Sequence, residues 1–361
     1  MLIKKGSLHL YISIVLFAVA ALSGCGGIVK TDKKTATLLK TEDASQAQLM
    51  AEVNRFARVE SIRAKMDLKF EDNSFAEFGS KEVYRSADGE IVVQRPGRIM
   101  LNVKVPVVKA DVARMTSDGQ HFRVAILQDG GSGRFKKFVK GTNSADYSQL
   151  QTDLAQGNGD GDAKKNVNAF ANLRPQHFTE AMLVRPTDDQ HLYVSSTTFQ
   201  IEEDPTAGKK SPLRKVNRGY YLLDEYERRA DGELKITRRF WFDRVGGIRL
   251  ARQQLFDAKG ELEADITYGA EGNLTDTGQY NRLPLQVLVT RPQEKYAMRL
   301  TYQIPEDVKI GDKYPDTAFV LQNSWGLEEL DLDKKLQEVT ARKSSLQTPP
   351  AVNSNSASRF Q

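Results

Sequence analysis

The sequence predicts an α+β protein: a large, strongly curved antiparallel sheet with a helical lid over an apolar concave face. Three observations predict it. Segment after segment alternates apolar and polar residues with period two, tight-turn dipeptides separate these segments, and only three stretches carry helical periodicity. Alternation of this kind marks strands with one buried and one wet face, the signature of antiparallel sheet.

The first helical stretch opens the globule. Ser45 with Gln48 forms a capping-box pattern, and Leu49, Val53, Phe56 and Ala57 then share one face of a helix ending near Glu60. Ser61 to Glu71 follows with unbroken alternation: Ile62, Ala64, Met66, Leu68 and Phe70 on one face, and Arg63, Lys65, Asp67, Lys69 and Glu71 on the other. The pattern recurs at Ile99–Val105, Phe122–Ile126, Leu234–Phe242, Leu262–Tyr268, Leu285–Val289 and Tyr296–Ile304. Turn chemistry separates these runs at Asp88-Gly89, Asp118-Gly119, Asp231-Gly232, Gly246-Gly247, Lys259-Gly260 and Glu271-Gly272. About ten to twelve strands are expected, enough for one large curved sheet or a barrel.

Two segments interrupt the meander. Residues 130–165 are glycine-rich and polar and are expected to form a flexible insertion. Asn166 to Val184 reads as helical, with Pro175 at the start of a helical turn and Phe178, Met182 and Leu183 as its apolar residues. Leu327–Leu336 is the third helical stretch. These helices are too few and too short to cover a long flat sheet, so the sheet must curl around them. The enclosed space is then a packed core or a cavity, and the pattern alone leaves both open.

The ends of the chain have a different character. Lys4 and Lys5 precede an apolar stretch, Leu8 to Ala21, which is followed by Leu22-Ser23-Gly24-Cys25. This is a secretory signal closed by a lipobox. The apolar run, roughly 14 residues, is short of the ~20 that a spanning helix needs. Residues 1–24 are therefore expected to be a signal peptide, with Cys25 as the lipidated mature N-terminus. It would carry a diacylglycerol and an N-acyl chain such as palmitate, and no other cofactor is expected. Gly26, where an aspartate would signal retention in the inner membrane, points to the outer membrane and a globule facing the periplasm. Residues 25–44 read as lipidated N-terminus and flexible tether, residues 45–338 as the domain, and residues 339–361 as a disordered tail rich in Ser, Asn and Pro.

Composition excludes several classes of function. Cys25 is the sole cysteine, so intrachain disulfides, thiol catalysis within the globule and cysteine-based zinc sites fall away. The formal charge is +5, and Lys4 and Lys5 leave with the leader. The remaining surplus is too small and too dispersed for a nucleic-acid footprint. His121, His177 and His191 have no neighbours at metal-ligand spacing, and Gly130-Gly131-Ser132-Gly133 is followed by Arg134, so it is no nucleophile elbow. Asn158 to Asp162 begins like a calcium loop, but Ala163 and Ala169 stand where the turn glycine and the bidentate glutamate belong. Glu202 with Glu203 and Glu328 with Glu329 lie in acidic runs that nothing marks as an acid–base pair. Lys209, Lys210, Arg214, Lys215 and Arg218 cluster around Pro212, which is a solvated loop or a contact for anionic headgroups. The pattern points to binding and not to an enzyme.

One succession of motifs carries a family likeness. Gln94-Arg95-Pro96-Gly97-Arg98-Ile99 opens a strand, Pro106-Val107 follows, and Thr116-Ser117-Asp118-Gly119-Gln120 makes the next turn. Together with the preceding helix and strand, this resembles the LolA/LolB superfamily of lipoprotein carriers and receptors. The likeness covers roughly residues 45–127 and is architectural alone from 185 to 335. It implies an incomplete barrel closed by helices, with an apolar cavity for acyl chains against Ile62, Met66, Leu68, Phe70, Leu101 and Val103. It also implies that Arg95 hydrogen-bonds towards the lid helices, and that Val107 and Val108, after Pro106, sit on a loop that helps transfer cargo into the membrane. The implied function is an outer-membrane-anchored protein that binds acyl chains of lipoproteins, glycolipids or phospholipids, with a periplasmic carrier protein as partner. This chain departs from a typical receptor by its greater length, in the 130–165 stretch and in extra C-terminal strands. The residues by themselves support a rival: a lipid-anchored scaffold or envelope sensor with a packed interior, which binds protein partners through its outer face or a strand edge.

Overall fold

A computed structural model describes residues 36–72, 82–83, 86–105, 110–128, 136–145, 147, 150, 175–204, 207–275 and 277–347. The chain divides into a large unit, residues 40–200 and 218–361, and a small unit, residues 1–39 and 201–217.

In chain order the first elements are β1 (Thr37–Leu38), α1 (Gln46–Ala57), β2 (Ser61–Asp72), β3 (Glu82–Val83), β4 (Ala87–Gln94) and β5 (Arg98–Lys104). Then come β6 (Asp111–Ser117), β7 (His121–Ile126), β8 (Lys137–Thr142), α2 (Gln176–Met182), β9 (Leu192–Glu203) and β10 (Lys215–Arg228). The C-terminal part holds β11 (Leu234–Asp243), β12 (Arg249–Phe256), β13 (Leu262–Tyr268), β14 (Glu271–Leu274), β15 (Tyr280–Pro284) and β16 (Gln286–Arg291). The last elements are β17 (Tyr296–Tyr302), β18 (Lys309–Ile310), β19 (Glu328–Asp331) and α3 (Leu332–Gln347).

The large unit is built on one antiparallel ladder. Its order is β10, β11, β12, β13, β16, β17, β2, β4, β5, β6, β7, β8. β9 pairs with β10, and β19 adds to β8 in parallel, so the sheet is mixed. It is curved and does not close into a barrel, as the expected incomplete barrel requires. In the small unit β1 runs parallel to the start of β10, with Thr37 opposite Val216 and Leu38 opposite Asn217.

Local chemistry sets the two helices on the concave face. At α1 the Ser45 side chain accepts from the Gln48 backbone N–H, while Gln48 Oε1 accepts from the Ser45 N–H at 2.8 Å, so the predicted capping box is present. Leu49, Val53, Phe56 and Ala57 are the buried face. α2 starts after Pro175 and buries Phe178, Ala181 and Met182 against β4, β5 and β16. One core joins these residues to the inward rows of β2, β4, β5, β11, β13, β16 and β17. Each fully buried aliphatic side chain there contributes about 1.5–3 kcal/mol.

Four expectations need correction. Asp88-Gly89 is no turn: it lies inside β4, opposite Asp67 and Met66. The glycine serves close packing, since a Cβ on Gly89 would come within 2.7 Å of Leu68 Cδ1. The 130–165 stretch is not all loop, because Lys137–Thr142 forms β8, with Phe138 and Val139 buried, and Tyr147 and Leu150 are buried too. Within 25–44, Thr37–Leu38 is strand, Arg244 Nε donates to Glu42 O at 2.9 Å, and Arg244 pairs with Asp43 at 2.6 Å. The third helix runs to Gln347 and so enters the 339–361 tail, because Leu336 and Val339 form a sparse stripe against the core and Lys335 pairs with Glu338 at 2.9 Å.

Candidate functional site: the concave face and its arginine strap

The six residues expected to line a cavity all face inward, and they are packed. Ile62, Met66, Leu68 and Leu101 are buried, while Phe70 and Val103 are half-buried against the same core. Phe70 stacks on Tyr296 with ring centroids 5.2 Å apart. The helices α1 and α2 fill the concavity above them. Cavities occur elsewhere: one of about 350 Å³ runs along α1 past Gln48, Glu52 and Arg55, and one of about 360 Å³ lies between α2, the Arg95-Pro96 turn and β11–β13. None of the six residues lines either.

Arg95 sits where the two helices end. Its Nε donates to Val59 O at 3.0 Å, and its Nη2 donates to Ala57 O at 3.3 Å and Val184 O at 2.7 Å. Ala57 ends α1, Val59 lies just past its C-cap, and Val184 lies just past the C-cap of α2, so one guanidinium donates to carbonyls at the ends of both helices. Val107, Val108 and Cys25 lie outside the described residues.

The larger cavity borders a polar cluster that the sequence reading missed. Glu225 on β10 is fully buried. Its Oε1 accepts from Thr237 Oγ1 at 2.7 Å and Arg238 Nε at 2.8 Å, its Oε2 accepts from Tyr193 Oη at 2.8 Å, and Arg238 Nη2 binds Oε2 as well. Arg238 also donates to the Arg185 and Pro186 carbonyls at 2.8 and 3.0 Å. Burial by itself would raise the Glu225 carboxyl, but the Arg238 hydrogen bonds and charge, with those of Thr237 and Tyr193, hold it below the ordinary glutamate value. Burial first, then the neighbouring Glu225 carboxylate, pushes the Tyr193 phenol up to about 12. A signal was available in Leu222-Leu223-Asp224-Glu225-Tyr226, where acids interrupt an apolar run on both strand faces. Gln253 on β12, only 2 % exposed, also lines this cavity, and its Oε1 has no hydrogen-bond partner. A buried amide oxygen in that state is met by water or by a ligand hydroxyl.

No family model matches the chain, and no curated protein matches it. Solved structures to which the chain shows similarity include a LolA superfamily protein from Nitrosomonas europaea, 10 % identical, covering 77 % of this chain and 99 % of that one with a TM-score of 0.37. A DUF1329 family protein from Desulfovibrio piger is 11 % identical, covers 76 % and 95 %, and has a TM-score of 0.37. An outer membrane lipoprotein-sorting protein domain from Vibrio parahaemolyticus is 11 % identical, covers 75 % and 94 %, and has a TM-score of 0.35. This chain itself shows an open curved sheet, a leading helix, an Arg-Pro turn and two helices held on the concave face.

Proposed function

We propose that this protein is an outer-membrane lipoprotein, anchored through acylated Cys25, that binds acyl chains of lipoproteins or lipids on its concave face as a receptor or carrier. The observation that carries the reading is the Arg95 strap. Two short helices of 12 and 7 residues fill the apolar concavity, and their ends are tied at one guanidinium. Releasing those carbonyls lets both helices lift, and acyl chain then replaces helix against Ile62, Met66, Leu68, Phe70, Leu101 and Val103. Each buried methylene contributes about 0.8 kcal/mol, so an inserted chain compensates for the lost helix contacts. Cargo arrives from a periplasmic carrier protein, and binding involves no catalytic step.

The test is native mass spectrometry of the full chain purified in mild detergent, with organic extracts searched for acyl species. The expected result is a stoichiometric lipid adduct beyond the Cys25 modification, weakened in Val103→Ser, at a half-buried position, with circular dichroism unchanged. A mass without adduct, together with failure to take up a fluorescent fatty acid, would sink the carrier reading. The burial of four of the six residues, with Phe70 and Val103 packed against the same core, favours one second reading, a lipid-anchored scaffold or sensor whose interior stays closed and whose outer face binds protein partners. A clean mass would direct attention there.

A further inference from the structure

The three most exposed large hydrophobic side chains among the described residues are Leu38 at 66 %, Ile201 at 63 % and Leu213 at 57 %. All three belong to the small unit. Single exposed apolar residues are ordinary, but these three fall in one small unit, where Leu38 pairs opposite Asn217 and the Asp204 N–H donates to Arg214 O, so the segments that carry them lie side by side. The same unit exposes Lys209, Lys210 and Lys215, and no ion pair holds them among the described residues. Its acids are engaged: Glu203 binds Arg214 at 3.0 Å, and Glu202 and Asp204 also have partners. The unit therefore offers aliphatic side chains fringed by free positive charge.

We propose that the small unit docks on an anionic lipid bilayer, with Leu38, Ile201 and Leu213 entering the interfacial zone and Lys209, Lys210 and Lys215 facing headgroup phosphates. The lysine fringe selects a bilayer over an apolar protein partner, because clustered lysines gain from the negative potential of a lipid surface. The chain before Thr37 supplies the second argument. It leads back to Cys25, and twelve extended residues reach at most about 40 Å, so an acyl anchor at Cys25 keeps this surface within reach of the membrane. That proximity rests on the anchored reading; the surface chemistry does not. Docking and acylation then act as two linked contacts, each raising the effective concentration of the other.

Hydrogen-exchange mass spectrometry of the full chain on phosphatidylcholine vesicles, with and without phosphatidylglycerol, tests this. With the anionic lipid, exchange in residues 201–217 slows while the turn at Asp231-Gly232 in the large unit does not change. The double variant Lys209→Glu/Lys210→Glu reverses the slowing by at least about tenfold, since each lysine near an anionic surface is worth roughly fivefold in binding. Leu213→Ser weakens it less. Equal exchange on both vesicle types would overturn the proposal. So would protection that appears without lipid and grows with protein concentration, which would identify a second copy as the occupant. Flotation of the chain on pure phosphatidylcholine vesicles reads the acyl anchor separately, so loss of the anchor and loss of the docking surface are distinguishable.

Discussion

From β2 to β7 the concave face is aliphatic, with Ile62, Met66, Ile91, Val93, Ile99, Leu101 and Val124 buried in one row after another. From β10 to β16 the same face buries Glu225, Arg238, Gln253 and Arg291 among its apolar residues. Both halves support the same helices, but the first does so by transfer of apolar area from water and the second by satisfying charges that have lost their water. An aliphatic wall is indifferent to which chain lies on it, as the proposed exchange of helix for acyl chain would require. A wall of paired charges has one arrangement, and it suits the half that keeps the sheet in register.

The largest effect should come from breaking the polar half. Glu225→Ala leaves Arg238 buried without its carboxylate and is expected to cost about 4 kcal/mol in urea unfolding. Glu225→Leu combined with Arg238→Met should be less damaged than either single change, because it removes both charges. If the double variant is worse, the pair is a net source of stability and the contrast between halves narrows. Leu101→Ala in the aliphatic half should cost about 3 kcal/mol through an empty cavity, with acyl-chain uptake retained.

Arg95→Met sharpens the comparison at the point where the halves share a strap. It should cost about 2 kcal/mol, appear chiefly as faster hydrogen exchange in α1 and α2, and increase fatty-acid uptake. Acid gives a milder probe. The folded-state pKa of Glu225 is depressed, so its contribution is complete above the unfolded glutamate value and is lost as pH falls through the folded value. The gap in urea midpoint between the natural chain and Glu225→Gln should be widest at neutral pH and close in acid. The smallest effect, about 1 kcal/mol, is expected for Ser45→Ala at the α1 cap.

The aliphatic half was legible in the sequence because its physics is periodic. Ser61–Glu71 alternates without fault, and Ser45 with Gln48 announces α1. The polar half hid its strands for the same reason that it is distinctive. β10 carries Asp224 and Glu225 where alternation expects apolar residues, and β9 has few buried side chains to form a pattern. β8 gives no strand signal because its six residues, Lys137–Thr142 with Gly141 inside, are too few and too polar to show alternation. The glycine is required there, since a Cβ would come 2.5 Å from Tyr147 Oη. At the site, Arg95 is readable from its motif, whereas the carbonyls that accept from it belong to residues remote in sequence. The exposed Leu38, Ile201 and Leu213 were invisible as a group, because only the pairing of β1 with β10 brings Leu38 beside the 201–217 segment.

The strand order also dictates when the protein can finish folding. β2 is among the first strands made, yet one of its edges waits for β17, where Met66 meets Tyr302. β8 waits longer still, for β19 at Glu328–Asp331 and for Asp333, whose carboxylate accepts from Thr142 Oγ1 at 2.8 Å. A chain delivered N-terminus first therefore carries a bare edge on β2 until β17 emerges and one on β8 until β19 emerges. Such edges invite pairing with other chains, and joins between distant segments are slow to form. A stop codon after residue 320 would remove no residue of the Arg95 strap, yet it would leave β8 without β19, and aggregation should be its first symptom.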